Sequence, residues 1–340
     1  MYKAIRSFLL HHLSEKSYIK IAKKYNDIRA AFKKTELQSS EKEIKDYNLP
    51  LVYISQPPRC GGTFTRNLLD GHSELAVYPY EISWEKNGYR WDRVLRQNFS
   101  TFKLLKDRWI SHAINHGIDK SIPFHFDQSL QKRIFLDSEV EGTRSILGNY
   151  LSGFFNAWLN YDSSNSKKKY CVAFCPWTQI NSGTVERYYD LYPDGFRIHV
   201  IRSPFGWWAS EKSYNDRYNK VLEDYLPNWI LSTQEGIQLN YRYRDKYLLI
   251  SYESLVNEPQ RNMKILCDYL GIQFKPEMLV PSLNGVPRRA NSSHNNSIKS
   301  IQKSSLDKWE KILTNKEIET IRSRAMDLYD QATKLCIDRN

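Results

Sequence analysis

Nothing in these 340 residues answers to a disulfide framework or a zinc module. The five cysteines, at 60, 171, 175, 267 and 336, are odd in number and show no Cys-x-x-Cys spacing. A reducing compartment is the expectation. No stretch approaches the roughly 20 apolar residues of a membrane span, and the N-terminal apolar run from Ile5 to Leu13 is broken by Arg6, Ser7, His11 and His12. The chain therefore reads as soluble, not secreted and cytoplasmic. It has no internal repeat, and its only compositionally biased segment is the polar spacer from Asp162 to Lys169. A Walker loop is missing too, because no Gly-Lys-Ser/Thr follows at the required spacing, and so is the Gly-x-Gly-x-x-Gly dinucleotide fingerprint.

What is present is positive charge and aromatic surface. A formal charge of +12 attracts anions of any kind: nucleic acid, anionic membrane or phosphorylated small molecules. Nucleic acid would call for Lys and Arg clusters interleaved with aromatics. The one basic run, Lys167-Lys168-Lys169, reads instead as a solvated spacer. With 41% hydrophobic residues the chain has enough apolar material for one large α/β domain or two average ones. The 23 Tyr and 9 Trp suit a well-filled core and a cleft that stacks flat rings or sugar faces.

Residues 1–46 space their apolar positions helically among many Lys and Arg. They read as an N-terminal helical extension that packs on its own domain, with peripheral membrane contact as the other option. Leu51–Ser55 is the first strong strand, followed by a Pro/Gly loop and a helix from Thr63 to about Gly71. Further strands are expected at Tyr170–Phe174, Phe196–Ile201 and Tyr247–Tyr252, and further helices at Thr143–Leu159, near Ser305–Ile312 and at Asn315–Lys334. Short β-rich runs separated by long helical stretches indicate an α/β fold with a central parallel sheet flanked by helices. A single P-loop-like domain over 47–340 is expected. The more than 110 residues between the first two of these strands would hold a helical insertion, at about 85–165, forming the acceptor site.

Strand, tight glycine loop and helix form the unit that binds phosphates in open α/β sheets. In Gln56-Pro-Pro-Arg-Cys-Gly-Gly-Thr-Phe-Thr65, Gly61 and Gly62 allow close backbone approach, Thr63 offers a hydroxyl and Arg59 a fixed charge. Alone, this pattern reads equally as a turn and helix cap. The strand Phe196–Ile201 ends at Arg202, and Ser210 lies eight residues on, where a helix can turn it back toward the strand end. An Arg and a Ser hydroxyl converging there make a second phosphate site.

Together these segments resemble the superfamily of sulfotransferases that use 3′-phosphoadenosine-5′-phosphosulfate (PAPS). Pro58-Arg-Cys-Gly-Gly-Thr63 is similar to its Pro-Lys/Arg-Ser/Cys-Gly-x-Thr loop, and Arg202 with Ser210 to its second motif. Leu249-Ile-Ser-Tyr-Glu-Ser-Leu-Val-Asn-Glu-Pro259, Cys267–Phe274 and Ser304–Trp309 match its later segments. The resemblance spans about residues 50–310. It implies that Arg59, Cys60, Gly61, Gly62, Thr63 and Phe64 hold the 5′-phosphosulfate, and Arg202 and Ser210 the 3′-phosphate. It further implies that Tyr252 contacts the adenine and that Arg288 or Lys303 closes over the 3′-phosphate. PAPS would leave as 3′-phosphoadenosine-5′-phosphate (PAP), and no metal is expected.

Branches that sulfate protein tyrosines and heparan sulfate place a catalytic Glu after the loop helix. In Leu69-Asp-Gly-His-Ser-Glu-Leu-Ala-Val-Tyr-Pro-Tyr-Glu81 the matching position is Glu81, expected as general base with Arg59 facing the leaving phosphate. The branch acting on small phenols and steroids uses a His; His125 is the nearest candidate by composition, though its surroundings do not match, and His72 reads as a packing residue. Two departures stand out: Ser203 replaces the commonest Asp, and the 143 positions from Arg59 to Arg202 exceed the spacing of the cytosolic branch. The acceptor is expected to be a carbohydrate or glycolipid hydroxyl, given Trp84, Trp91, Trp109 and Trp158, with a small natural-product alcohol as the alternative. A kinase or another nucleotide-phosphate protein is the alternative by class. A soluble chain is unlike the Golgi members, which leaves a cytoplasmic bacterial enzyme as the expectation.

Overall fold

The computed structural model describes residues 44–337, apart from 83–84, 87–88, 91–95, 106–107, 119–121, 162–166, 177–181, 215–219 and 289–305, together with Ser17, Lys20, Ile21, Lys24 and Ile28. Most of the N-terminal extension therefore lies outside the described residues, as do Trp84, Trp91 and Lys303.

Five parallel strands make the central sheet: β1 (Leu51–Ser55), β2 (Leu75–Glu81), β3 (Tyr170–Phe174), β4 (Phe196–Ile201) and β5 (Tyr247–Ser251), in the order β2-β3-β1-β4-β5. Register is set by pairs such as Leu51 with Cys171, Val52 with Phe196 and Ile198 with Leu248. Strands buried on both faces favour apolar side chains, which is why β1, β3 and β5 read as near-continuous apolar runs, while β4 carries Arg197 and His199 buried among its apolar residues.

Alternation along each strand then builds two cores. Val52, Ile54, Val172 and Ile198 pack under α1 (Gly62–Leu69) through Phe64 and Leu68. Leu51, Tyr53, Cys171 and Ala173 pack on the other face against Ile146, Leu147, Tyr150 and Phe154 of α5 (Thr143–Ala157).

β2 corrects the sequence reading, which placed no strand between β1 and β3. It is an edge strand with Pro79 inside it and a register irregularity between Val77 and Glu81, both tolerated where one side of the ladder is open. The expected insertion is helical, comprising α2 (Phe99–Leu105), α3 (Arg108–His116), α4 (Gln128–Asp137) and α5, with a two-residue ladder at 85–86 and 89–90. Asp127 caps α4 by accepting from the Ser129 and Leu130 N–H groups.

α6 (Ser182–Leu191) leads into β4. Beyond it, α7 (Pro204–Lys212) starts with Pro at its first position, as the fixed proline φ favours. α8 (Leu222–Arg242), α9 (Tyr252–Asn257), α10 (Pro259–Leu270) and α11 (Asn315–Ile337) complete the helical layers. Two expected ends shift: β5 stops at Ser251, whose Oγ accepts from Ser254 N–H and caps α9, and the expected helix near 305–312 is a short 3-10 turn at Lys308–Lys311.

Candidate functional site

The loop from β1 to α1 is held in a conformation ordinary residues avoid. Arg59 has φ 68 and Gly61 φ 102; a non-glycine residue in that region costs about 1–3 kcal/mol and persists only when its surroundings hold it. Three hydrogen bonds do so. Arg202 Nη1 donates to Arg59 O at 2.8 Å, Trp207 Nε1 to Pro58 O at 3.1 Å, and Thr65 N–H to Gly61 O at 2.9 Å. Both glycines are required sterically: a Cβ on Gly61 would stand 2.4 Å from the Tyr252 ring, and one on Gly62 would stand 2.1 Å from the Gln56 amide.

Beside this loop two guanidinium groups gather, those of Arg59 and Arg202. Arg59 Nε donates to Ser210 Oγ at 3.2 Å, and its guanidinium lies 4.5 Å from the Tyr214 ring centre. Arg202 stacks at 4.6 Å on Tyr252 and keeps a buried Nε with no hydrogen-bond partner. Burial pulls the Arg59 guanidinium below its ordinary value; Glu211 works against this and Arg202 adds to it. Paired cations, an orphaned donor and a hydroxyl at the loop suit a bound polyanion, whose oxygens would satisfy the donors and relieve the repulsion.

Tyr252 and Phe64 meet edge to face at 5.8 Å. Phe64 belongs to the core and backs the tyrosine ring. Cys60 turns its side chain inward among Phe205, Trp207 and Trp229, so only its backbone can face a ligand, and burial raises its thiol. Glu253, unnoticed as a site-building residue in the sequence, accepts the Ser203 N–H at 3.1 Å and the Tyr329 hydroxyl at 3.0 Å, fixing the turn after Arg202.

A cavity of about 600 Å³ opens next to Thr63. Its walls include Arg66 from α1, Glu81 from the end of β2, Trp109 and His112 from α3, and Arg288. Glu81 is exposed there. Arg288 follows a small hairpin, Ser282–Leu283 with Val286–Pro287, and Asp70 anchors that hairpin by accepting from Ser282 Oγ at 2.7 Å, Asn284 N–H at 3.1 Å and Gly285 N–H at 2.9 Å. The structure thus puts Arg288 on the cavity with Thr63 and Glu81. Arg202 and Ser210 are not among its described walls.

His112 is a cavity residue that sequence reasoning missed; its position three residues after Trp109 on one helix face was the available signal. His125 is exposed outside the described walls, and its backbone N–H donates to Asn160 Oδ1. His72 is buried: it accepts the Glu74 N–H on Nδ1, so Nε2 carries the proton and donates to Gln273 O at 2.8 Å. Trp109 is half exposed at the cavity. Trp158, expected near an acceptor, is instead fully buried and donates to Asn160 Oδ1, because it closes the end of α5 against Phe124 and Tyr161. Among the described residues no cluster of three His, Cys, Asp or Glu is placed to hold a metal, and no helix is long and apolar enough to cross a membrane.

Among solved structures, the sulfotransferase domain from the Synechococcus PCC 7002 olefin synthase is similar at 18% identity and TM-score 0.49, covering 87% of this chain and 98% of its own. A sulfotransferase from Alicyclobacillus acidocaldarius is similar at 13% identity and TM-score 0.44, covering 84% and 95%. Mouse sulfotransferase SULT7A1 complexed with PAP follows at 10% identity and TM-score 0.42, covering 84% and 88%. No curated protein sequence matches. The model of the Sulfotransferase family matches residues 50–276, more than half of the sequence and all of the loop, β4 and α7 described above; the chain belongs to that family.

Proposed function

We propose that this sulfotransferase moves the sulfuryl group of PAPS to a hydroxyl of a carbohydrate or glycolipid. Arg59, Gly61, Gly62 and Thr63 take the 5′-phosphosulfate, Arg202 and Ser210 the 3′-phosphate, and Tyr252 the adenine. Cys60 contributes through its backbone and Phe64 by backing Tyr252. In the reaction the bond from sulfur to the donor's 5′-phosphate oxygen breaks as the acceptor oxygen bonds to sulfur, and the acceptor proton passes to Glu81. Arg59 offsets the charge growing on the leaving phosphate, as positioned cations do in phosphoryl transfer.

The observation that carries this reading is the single cavity shared by Thr63, where the phosphate loop enters α1, and Glu81, the carboxylate at the open end of β2. A hydroxyl in that cavity meets the donor end and a base at once. The partly exposed Trp109 supplies a face for a sugar ring.

A small natural-product alcohol is the second reading, favoured by the cavity's size and by its Ile118, Ala113 and Phe174 walls, since about 300–1,000 Å³ is the usual span of small-molecule sites. One experiment tests both: purified protein, PAPS and a panel of glycans and small alcohols, with PAP release and the mass of the sulfated product as readouts. Thermal stabilisation by PAP, but not by ATP or NAD, is expected. Absence of any PAP response sinks the donor assignment, and product only on small alcohols replaces the carbohydrate reading with the second one.

A further inference from the structure

Guanidinium groups around the loop fall into two sets. Arg59 and Arg202 turn toward Ser210 and Tyr252 and are not among the described walls of the cavity, whereas Arg66 and Arg288 line it beside Thr63 and Glu81. Arg66 sits three residues after Thr63, on the same face of α1, and is 4% exposed.

Hydrogen bonds fix Arg66 but bring it no negative charge. Its Nη1 donates to Pro79 O at 2.7 Å, and its Nε and Nη2 donate to Asn67 Oδ1 at 3.3 and 3.0 Å. Asp70, one turn along the helix, would be its natural ion partner, yet that carboxylate is taken up by Ser282, Asn284 and Gly285. Among the described walls Glu81 is the only carboxylate, set against two guanidinium groups and an imidazole at His112. Burial, and after it Arg288, pulls Arg66 down to about 10, while Asp70, Glu81 and Tyr80 work against this without cancelling it.

The geometry points to an anionic acceptor: a hydroxyl compound whose carboxylate or sulfate ester seats against Arg66 and Arg288 while its hydroxyl meets Glu81. This rests on the reading of the cavity as the acceptor site. The donor's own charges are answered by the other arginine pair, so the cavity pair serves the other substrate. Guanidinium forks match planar carboxylates and sulfate oxygens with paired hydrogen bonds.

The test uses the full chain saturated with PAP and two matched pairs of probes: p-nitrophenyl β-D-glucoside against the β-D-glucuronide, and p-nitrophenyl N-acetylglucosaminide against its 6-sulfate. Titration should show the anionic member of at least one pair binding about tenfold or more tightly, a difference of about 1.4 kcal/mol. Arg288→Gln should cut that preference several-fold, Arg288→Lys should restore part of it, and PAP should still stabilise both variants. Equal affinity within each pair, no binding by any probe, or a preference untouched by Arg288→Gln overturns the inference. Failure of PAP to stabilise the unmodified protein strikes the donor reading instead, so the two failures are told apart.

Discussion

Arg59 Nε and Ser210 Oγ lie 3.2 Å apart, a hydrogen bond that spans 151 positions of sequence. It ties the loop after β1 to the helix after β4, the two segments that together form the proposed donor site. A 3′-phosphate bound there would take over the serine hydroxyl, and hydrogen bonds to charged groups contribute about 1.5–3 kcal/mol. Ser210→Ala is therefore expected to weaken PAP binding by about 10- to 100-fold in calorimetry. Unchanged affinity would remove Ser210 from the phosphate site.

Glu81 tests the chemistry separately from binding. It is exposed at the end of β2, away from the core, so Glu81→Gln should leave the melting temperature and PAP stabilisation nearly unchanged. Turnover should fall by about 10²- to 10⁴-fold, the usual contribution of a positioned base. A variant with wild-type kcat would assign the proton to another group, with His112 next in line on the same cavity.

Gly61→Ala probes the loop's geometry. The new methyl would face both the left-handed φ of 102 and a Tyr252 carbon 2.4 Å away. A loss of at least about 1–3 kcal/mol of stability is expected from the backbone alone, with PAP affinity lost as Tyr252 is displaced. Denaturant melts and PAP titration measure the two effects. A variant as stable as the wild type and binding PAP normally would show that the loop accommodates a side chain there.

His199 makes stability depend on pH. It is buried on β4, paired through Nδ1 with the Tyr247 hydroxyl at 2.9 Å, and its Nε2 has no hydrogen-bond partner. Burial, with Arg197 adding to it, pulls the imidazole down to about 3. The folded chain thus binds fewer protons than the unfolded one between about pH 6.5 and 3. Stability contributed by the neutral ring is intact above 6.5 and declines as pH falls through that window, at up to ~1.4 kcal/mol per pH unit. Urea midpoints measured from pH 7 to 5 should fall less steeply for His199→Gln, once each series is set against its own value at pH 7. Equal slopes would mean that His199 titrates normally.

Four of the five sheet strands were legible because double burial keeps them mostly apolar, with Arg197 and His199 the buried exceptions on β4: Leu51–Ser55, Tyr170–Phe174 and Phe196–Ile201 match residue for residue. β2 escaped notice because an edge strand can carry Pro79 and a shifted register, which blur the alternation. The glycine loop and Arg202 drew attention in the sequence because each follows such a strand directly, and Ser210 because it lies in the helix that comes next. The cavity was not. Its walls come from α1, β2, α3 and the turn at Arg288, and no local pattern announces that these segments meet. Arg66 shows the limit most plainly, since a buried arginine on an eight-residue helix reads in sequence as an ordinary solvated charge. Trp158 shows the reverse error, a core side chain taken for a binding surface.

The inward turn of Cys60 has one more use. Its sulfur sits in the middle of the phosphate loop yet is wholly enclosed beneath Trp207 and Phe205, and burial keeps it in the unreactive thiol form. An alkylating reagent can reach it only when the loop lifts off α7, so its rate of modification is a clock for that opening. The protein thereby carries its own reporter, a native thiol that counts loop excursions without an added label.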